Sequence, residues 1–247
     1  MSLLTWLCSA PAVGCLDDDG RGDTTDRCAA ARVQALYFGS AEPEQLELSV
    51  AERAAIGTVA SEPSIAICTG QVIERGWVLS AAHCNIDDAP TFRGSAADAE
   101  TLRTRSVAVH PTLDLMLLEL EDSASAQALT PVPLWSGAID DSWIGREVTL
   151  AGVGETETGE FGALRFLVEP VVAVDENDVT VDGMGKSGAC SGDSGGPLLV
   201  AAQDGSPRVA GVLDRGSRNC LGIDLYTRAD RIVEWAAEVT GGIACTD

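Results

Sequence analysis

In the stretch GACSGDSGGPLLVAA, residues 188–202, Ser194 stands between an aspartate and two glycines. A serine hydroxyl is a weak nucleophile at neutral pH. It attacks a carbonyl only when a base takes its proton and a third group orients that base. Histidine suits the role, because its proton exchanges close to neutrality. The chain holds two histidines, His83 in GWVLSAAHC and His110 in HPTLDLMLLEL, so the search for a base is short.

Gly192-x-Ser194-x-Gly196 also fits the nucleophile elbow of α/β-hydrolases, whose histidine follows the serine in the chain. Both histidines precede Ser194, which excludes that order and leaves only histidine before serine. Residues from about 36 to 240 resemble the chymotrypsin/trypsin family of serine endopeptidases, whose order is His, Asp, Ser. VLSAAHC is similar to that family's histidine box and makes His83 the base. DLMLLEL is similar to its aspartate strand and makes Asp114 the orienting acid. GDSGGPL is its nucleophile box and makes Ser194 the nucleophile. Three boxes in the right order, at compatible spacings, are far more specific than any one of them.

The resemblance implies an all-β fold of two six-stranded antiparallel Greek-key barrels with a C-terminal α-helix, and peptide-bond hydrolysis through an acyl-enzyme. The backbone N–H groups of Gly192 and Ser194 would form the oxyanion hole, worth a few kcal/mol of transition-state stabilisation. The resemblance also implies disulfides Cys68–Cys84 and Cys190–Cys220, leaving Cys28 and Cys245 to pair as a tether. It makes His110 structural, and it calls for no metal and no organic cofactor. Gly152-Val153-Gly154 is similar to the family's Gly-Trp-Gly, and YTRADRIVEW to its last strand-to-helix segment. An activating protease would free an N-terminus near Leu36 to pair with Asp193; Ala35 precedes Leu36, while Arg32 offers a basic residue before Val33.

The specificity pocket departs from the family. Its floor position, six before the nucleophile, is Gly188, followed by Ala189, where an aspartate would select Arg or Lys. Asp224 falls on the opposite wall: there it would attract a basic side chain, whereas a surface position would leave it without a role. The pocket strand reads Asp214-Arg215-Gly216 in place of Ser-Trp-Gly, which sets a second carboxylate towards Asp114. Like charges so close raise the pKa of one of the pair unless Arg215 compensates. The rival reading is a non-catalytic binding or regulatory module of the same fold, its pocket blocked by Asp214 and Arg215.

Composition sets the frame for these residues. With 45% apolar and 22% charged residues over 247 positions, the chain is globular and long enough for a large core. A net charge of −22 argues against nucleic acid as partner and fits protein or peptide substrates. Residues 1–15 read as an export signal with a small-residue exit. Ala10-Pro11-Ala12 fits one cleavage, and Ala12-Val13-Gly14-Cys15 fits a lipoprotein box that would anchor Cys15 to lipid. On the second exit six cysteines remain, an even set suited to a secreted or cell-envelope location. Residues 16–35 form an acidic linker or prosegment, whose carboxylates miss the calcium-loop spacing and whose Arg-Gly-Asp is a chance match. Residues 36–247 form the protease domain.

The elements that must position the site are short β-favouring runs between turns: SIAICTGQVI, GWVLSA, RSVAVH, DLMLLEL, REVTLAGVG, LRFLVEPVVAV, NDVTVDG, PLLVAA and RVAGVL. A single helix is expected at the end, over TRADRIVEWAAEVTGG.

Overall fold

The computed structural model describes residues 36–61, 67–86 and 89–242. The export signal, the linker, Cys28 and Cys245 lie outside the described residues.

Two closed antiparallel barrels of six strands follow one another along the chain. The first comprises β1 (Ile56–Ala60), β2 (Ile67–Glu74), β3 (Trp77–Ser80), β4 (Thr91–Gly94), β5 (Leu102–Val109) and β6 (Met116–Leu120), in the order β1-β2-β3-β6-β5-β4. The second comprises β7 (Glu147–Gly152), β8 (Arg165–Val174), β9 (Asp178–Asp182), β10 (Pro197–Ala201), β11 (Pro207–Arg215) and β12 (Ile223–Arg228), in the order β10-β11-β12-β9-β8-β7. Closure removes the free strand edges that an open sheet would expose.

The apolar pattern explains how the barrels join. A strand with one wet face alternates apolar and polar residues, and a strand buried on both faces does not. In β6, Met116, Leu118 and Leu120 fill the first barrel. Leu115 and Leu117 point the other way, into a seam shared with Ala151, Phe166, Leu199 and Val212 of the second barrel. The interior of the second barrel is formed by Val148, Leu150, Leu167, Val171, Val181, Leu198 and Tyr226.

Nine of the expected runs become strands, β2, β3 and β5 to β11. The terminal segment differs in its first residues. Thr227 and Arg228 finish β12, Ala229–Arg231 make a 3-10 turn, and the α-helix covers Val233–Thr240. Cross-strand pairing with β9 and β11 holds Thr227 extended. The helix ends at Gly241, which takes the left-handed conformation at φ 83°.

The disulfides Cys68–Cys84 and Cys190–Cys220 are both formed. Cys68–Cys84 closes a 16-residue interval inside the first core. Replacing both cysteines with serine is expected to remove about 3 kcal/mol of stability, the chain-entropy value for a loop of about that length. Urea unfolding followed by tryptophan fluorescence measures it; an unchanged midpoint would show that packing alone holds the histidine loop.

Candidate active site

His83 lies in the 3-10 turn Ala82–Cys84 that follows β3, and Asp114 in the turn that leads into β6. Strands β3 and β6 pair directly, Ser80 against Met116, so the two turns leave the sheet side by side. The Ala82 N–H donates to the Asp114 carbonyl (3.2 Å) and the His83 N–H to Asp114 Oδ1 (2.8 Å). His83 Nδ1 meets Asp114 Oδ2 at 2.5 Å. That bond puts the proton on Nδ1 and leaves Nε2 as the basic nitrogen.

The loop of Ser194 comes from the second barrel and is fastened to the first through Thr69 on β2. Thr69 is fully buried. Its N–H donates to the Ser194 carbonyl (2.8 Å) and its hydroxyl to the Gly192 carbonyl (2.9 Å). The same hydroxyl accepts the Val153 N–H (3.1 Å), and the Thr69 carbonyl accepts the Ser80 hydroxyl (2.7 Å). Gly195 packs so closely that a methyl group there would stand 2.2 Å from Ser80 Oγ and 2.8 Å from Ala81 N. Ser194 is therefore set beside the turn that carries His83.

Asp193 is wholly buried, its two oxygens accepting the N–H groups of Gly154 (2.8 Å) and Cys190 (2.9 Å). A side chain on Gly152 or Gly154 would collide with this carboxylate, which explains the Gly-Val-Gly sequence. Leu36 is buried in the second core, and the Tyr37 N–H donates to the Gly188 carbonyl (3.0 Å).

Asp214 sits in a bulge of β11 and pairs with Arg215 at 2.6 Å. Its carboxyl is pushed up chiefly by desolvation, with Arg215 opposing and Asp114, both as a charge and as a hydrogen-bond partner, adding to the rise. Arg215 thus compensates only in part. His83, Asp114 and Asp214 offer ligand atoms within 4.8 Å of one another, although a cation there would have to break the His83–Asp114 bond. Cys68 and Cys84, also near His83, are tied up in their disulfide.

Asp224 is fully buried and not at the surface. Its Oδ2 accepts the Ala189 N–H (2.7 Å) and its Oδ1 the Ser217 N–H (3.3 Å). Desolvation raises its pKa to about 6, against the two N–H groups, with Asp182 adding to the rise. Sequence reasoning missed Glu169, which is 1% exposed in β8. One of its oxygens accepts the Ser187 hydroxyl (2.8 Å), and the other has no hydrogen-bond partner. Burial takes it to about 7, aided by Asp224 and Asp182 against the Ser187 bond. The signal was present: a lone acid between Leu167 and Val171, on the inward parity of the strand. His110 is engaged in local packing. Its Nδ1 accepts the Leu113 N–H (3.0 Å) and its ring meets Trp235 edge-on at 4.9 Å.

Two sequence comparisons bear on this arrangement. The family model described as Trypsin matches residues 51–236. The chain belongs to the trypsin family. It is also similar to an uncharacterized peptidase of Corynebacterium glutamicum (strain R), 28% identical over 189 residues that cover 70% of this chain and 64% of that protein. The chain thus spans slightly less than two thirds of that relative's length. The matched residues take in all twelve strands of the two barrels.

Desolvation also raises Asp193 to about 7, against its two N–H bonds and with Asp224 adding to the rise. Three carboxyls of the second barrel, Glu169, Asp193 and Asp224, therefore hold protons more tightly folded than unfolded, where values near 4 apply. From about pH 4 to 7 the folded state binds more protons, so stability falls as pH rises through that window, by up to about 1.4 kcal/mol per pH unit for each group. Thermal melts of the full-length chain are expected to show a falling midpoint from pH 5 to 8. Glu169→Gln should flatten that slope; a midpoint that climbs with pH would contradict the burial of these acids.

Proposed function

We propose that the protein is an exported serine endopeptidase acting through Ser194, His83 and Asp114. The observation that carries the reading is the hydrogen bond from His83 Nδ1 to Asp114, in a turn packed against the loop of Ser194. In this mechanism His83 Nε2 takes the Ser194 proton as Oγ attacks the scissile carbonyl. The N–H groups of Gly192 and Ser194 receive the oxyanion, a contribution of roughly 10²- to 10³-fold in rate for a single donor. His83 then protonates the leaving amine, and water repeats the sequence on the acyl-enzyme. Asp114 holds the ring and stabilises the imidazolium.

The substrate residue before the cut bond carries a positive charge. Asp224 supports this: it is a buried carboxylate between the pocket walls Gly188–Ala189 and Gly216–Ser217, and no cation is among the groups that shift it. Cleavage before Leu36 would supply an ammonium group for Asp193, whose carboxylate likewise has no cation among the groups that shift it. Export through residues 1–15, with lipid at Cys15 on the lipoprotein exit, accords with the two disulfides.

A fluorophosphonate probe is expected to label the matured protein and to leave Ser194→Ala unlabelled. A folded wild type that stays unlabelled would hand the chain to the binding-module reading, and labelling that survives the substitution would refute Ser194 as the nucleophile. In a labelled enzyme, Asp214→Ser removes an anion beside the His83–Asp114 pair. The acidic limb of the kcat/KM profile should move to lower pH by about half a unit, as a solvent-screened charge at roughly 5 Å would produce. A limb that stays in place would mean that Arg215 already neutralises Asp214.

A further inference from the structure

Asp224 lies between the two walls of the pocket and bonds to both. The wall Gly188–Ala189 donates the Ala189 N–H to Oδ2 at 2.7 Å, and the wall Gly216–Ser217 donates the Ser217 N–H to Oδ1 at 3.3 Å. Both glycines make room for this carboxylate. A methyl group on Gly216 would stand 2.4 Å from Oδ1, and one on Gly188 would stand 3.3 Å from Oδ2. The same methyl on Gly216 would lie 3.2 Å from the Ala189 carbonyl oxygen, so the two walls almost meet. A side chain seated between them needs about 3.5–4 Å to each side. That space is absent while Asp224 spans it.

Resting on the peptidase reading above, we infer that Asp224 is a bar across the specificity pocket, displaced by a cationic side chain in exchange for its two backbone bonds and not by an uncharged one. An apolar side chain that pushed the walls apart would strand the carboxylate and the Ala189 N–H in a buried site, each unpaired, and would break the half-buried Ser217 bond as well. A guanidinium or ammonium group offers charged donors to the same carboxylate at the moment its wall bonds break. The surroundings favour that exchange. Asp182, Glu169 and Asp193 are the charged groups coupled to Asp224, and all are acids. Selection thus comes from the cost of opening as well as from attraction, so uncharged substrates are rejected by a barrier and not only by a weaker contact.

The test uses the matured enzyme and its Asp224→Gly and Asp224→Asn variants. Substrates are acyl-peptide amides that differ only in the residue before the cut, Arg, Lys, Leu or Phe. The rate of fluorophosphonate labelling at Ser194 reports whether fold and catalytic machinery are intact. Asp224→Gly removes bar and charge together: kcat/KM for Leu and Phe should rise at least tenfold above wild type while Arg and Lys fall at least a hundredfold. Asp224→Asn removes the charge but keeps an oxygen that can accept from one wall, so Arg and Lys should fall and Leu and Phe rise less than in Asp224→Gly. If Asp224→Gly labels at the wild-type rate yet handles Leu and Phe no better than wild type, the bar is refuted while the peptidase reading stands. A wild type that hydrolyses Leu and Arg substrates equally also refutes it. A folded wild type without labelling at Ser194 refutes the underlying reading instead. Stopped-flow binding of p-aminobenzamidine adds an independent measure: with a bar, the observed rate for wild type saturates with ligand concentration, and a strictly linear dependence overturns it.

Discussion

One buried threonine joins the two halves of the candidate site. Thr69 belongs to β2 of the first barrel, but its N–H and hydroxyl hold the carbonyls of Ser194 and Gly192 in the second. Its hydroxyl also takes the Val153 N–H, and its carbonyl takes Ser80, the residue from which the His83 turn departs. Its hydroxyl uses its one donor and one of its two lone pairs here. Each bond fixes a backbone group, so the peptide groups of Gly192 and Ser194 take their orientation from the barrel that carries His83. Without such a link the two loops would be related only by the apolar seam, which is not directional.

The second constraint is electrostatic. Glu169, Asp193 and Asp224 are all buried near one end of the second barrel, and among the described residues none of the groups that shift them is a cation. Backbone N–H groups carry most of the compensation, two each for Asp193 and Asp224. Such bonds reduce the cost of burying a carboxylate without cancelling it, which is why all three groups titrate well above their usual range. The phenol of Tyr226, buried against the same acids, is pushed up with them.

Much of this was legible in the sequence because the family's motif boxes are local. His83, Asp114 and Ser194 each sit in a short stretch whose neighbours make the turn, and the strands between them are strongly β-branched. Strands β1, β4 and β12 were less visible. IGTVA and TFRG are short and carry glycines, while the start of the expected helix proved to be the end of a strand held by its neighbours. Asp224 left two readings open because its burial depends on the approach of residues 189 and 217, distant along the chain from one another. Glu169 escaped notice for the opposite reason. Its parity in β8 marked it as inward, yet an acid on an inward face usually marks the ladder as misread, and only the Ser187 hydroxyl beneath it shows otherwise.

Strand β6 faces two cores, Met116 and Leu118 towards its own barrel and Leu117 towards the other. Neither half is therefore equipped for independence. Cut apart, each would lay bare a greasy flank with no water-loving cover, and the proposed site would be divided, His83 and Asp114 on one piece and Ser194 on the other. The arrangement is a property of the couple, and a partial chain would inherit the stickiness without the complete site.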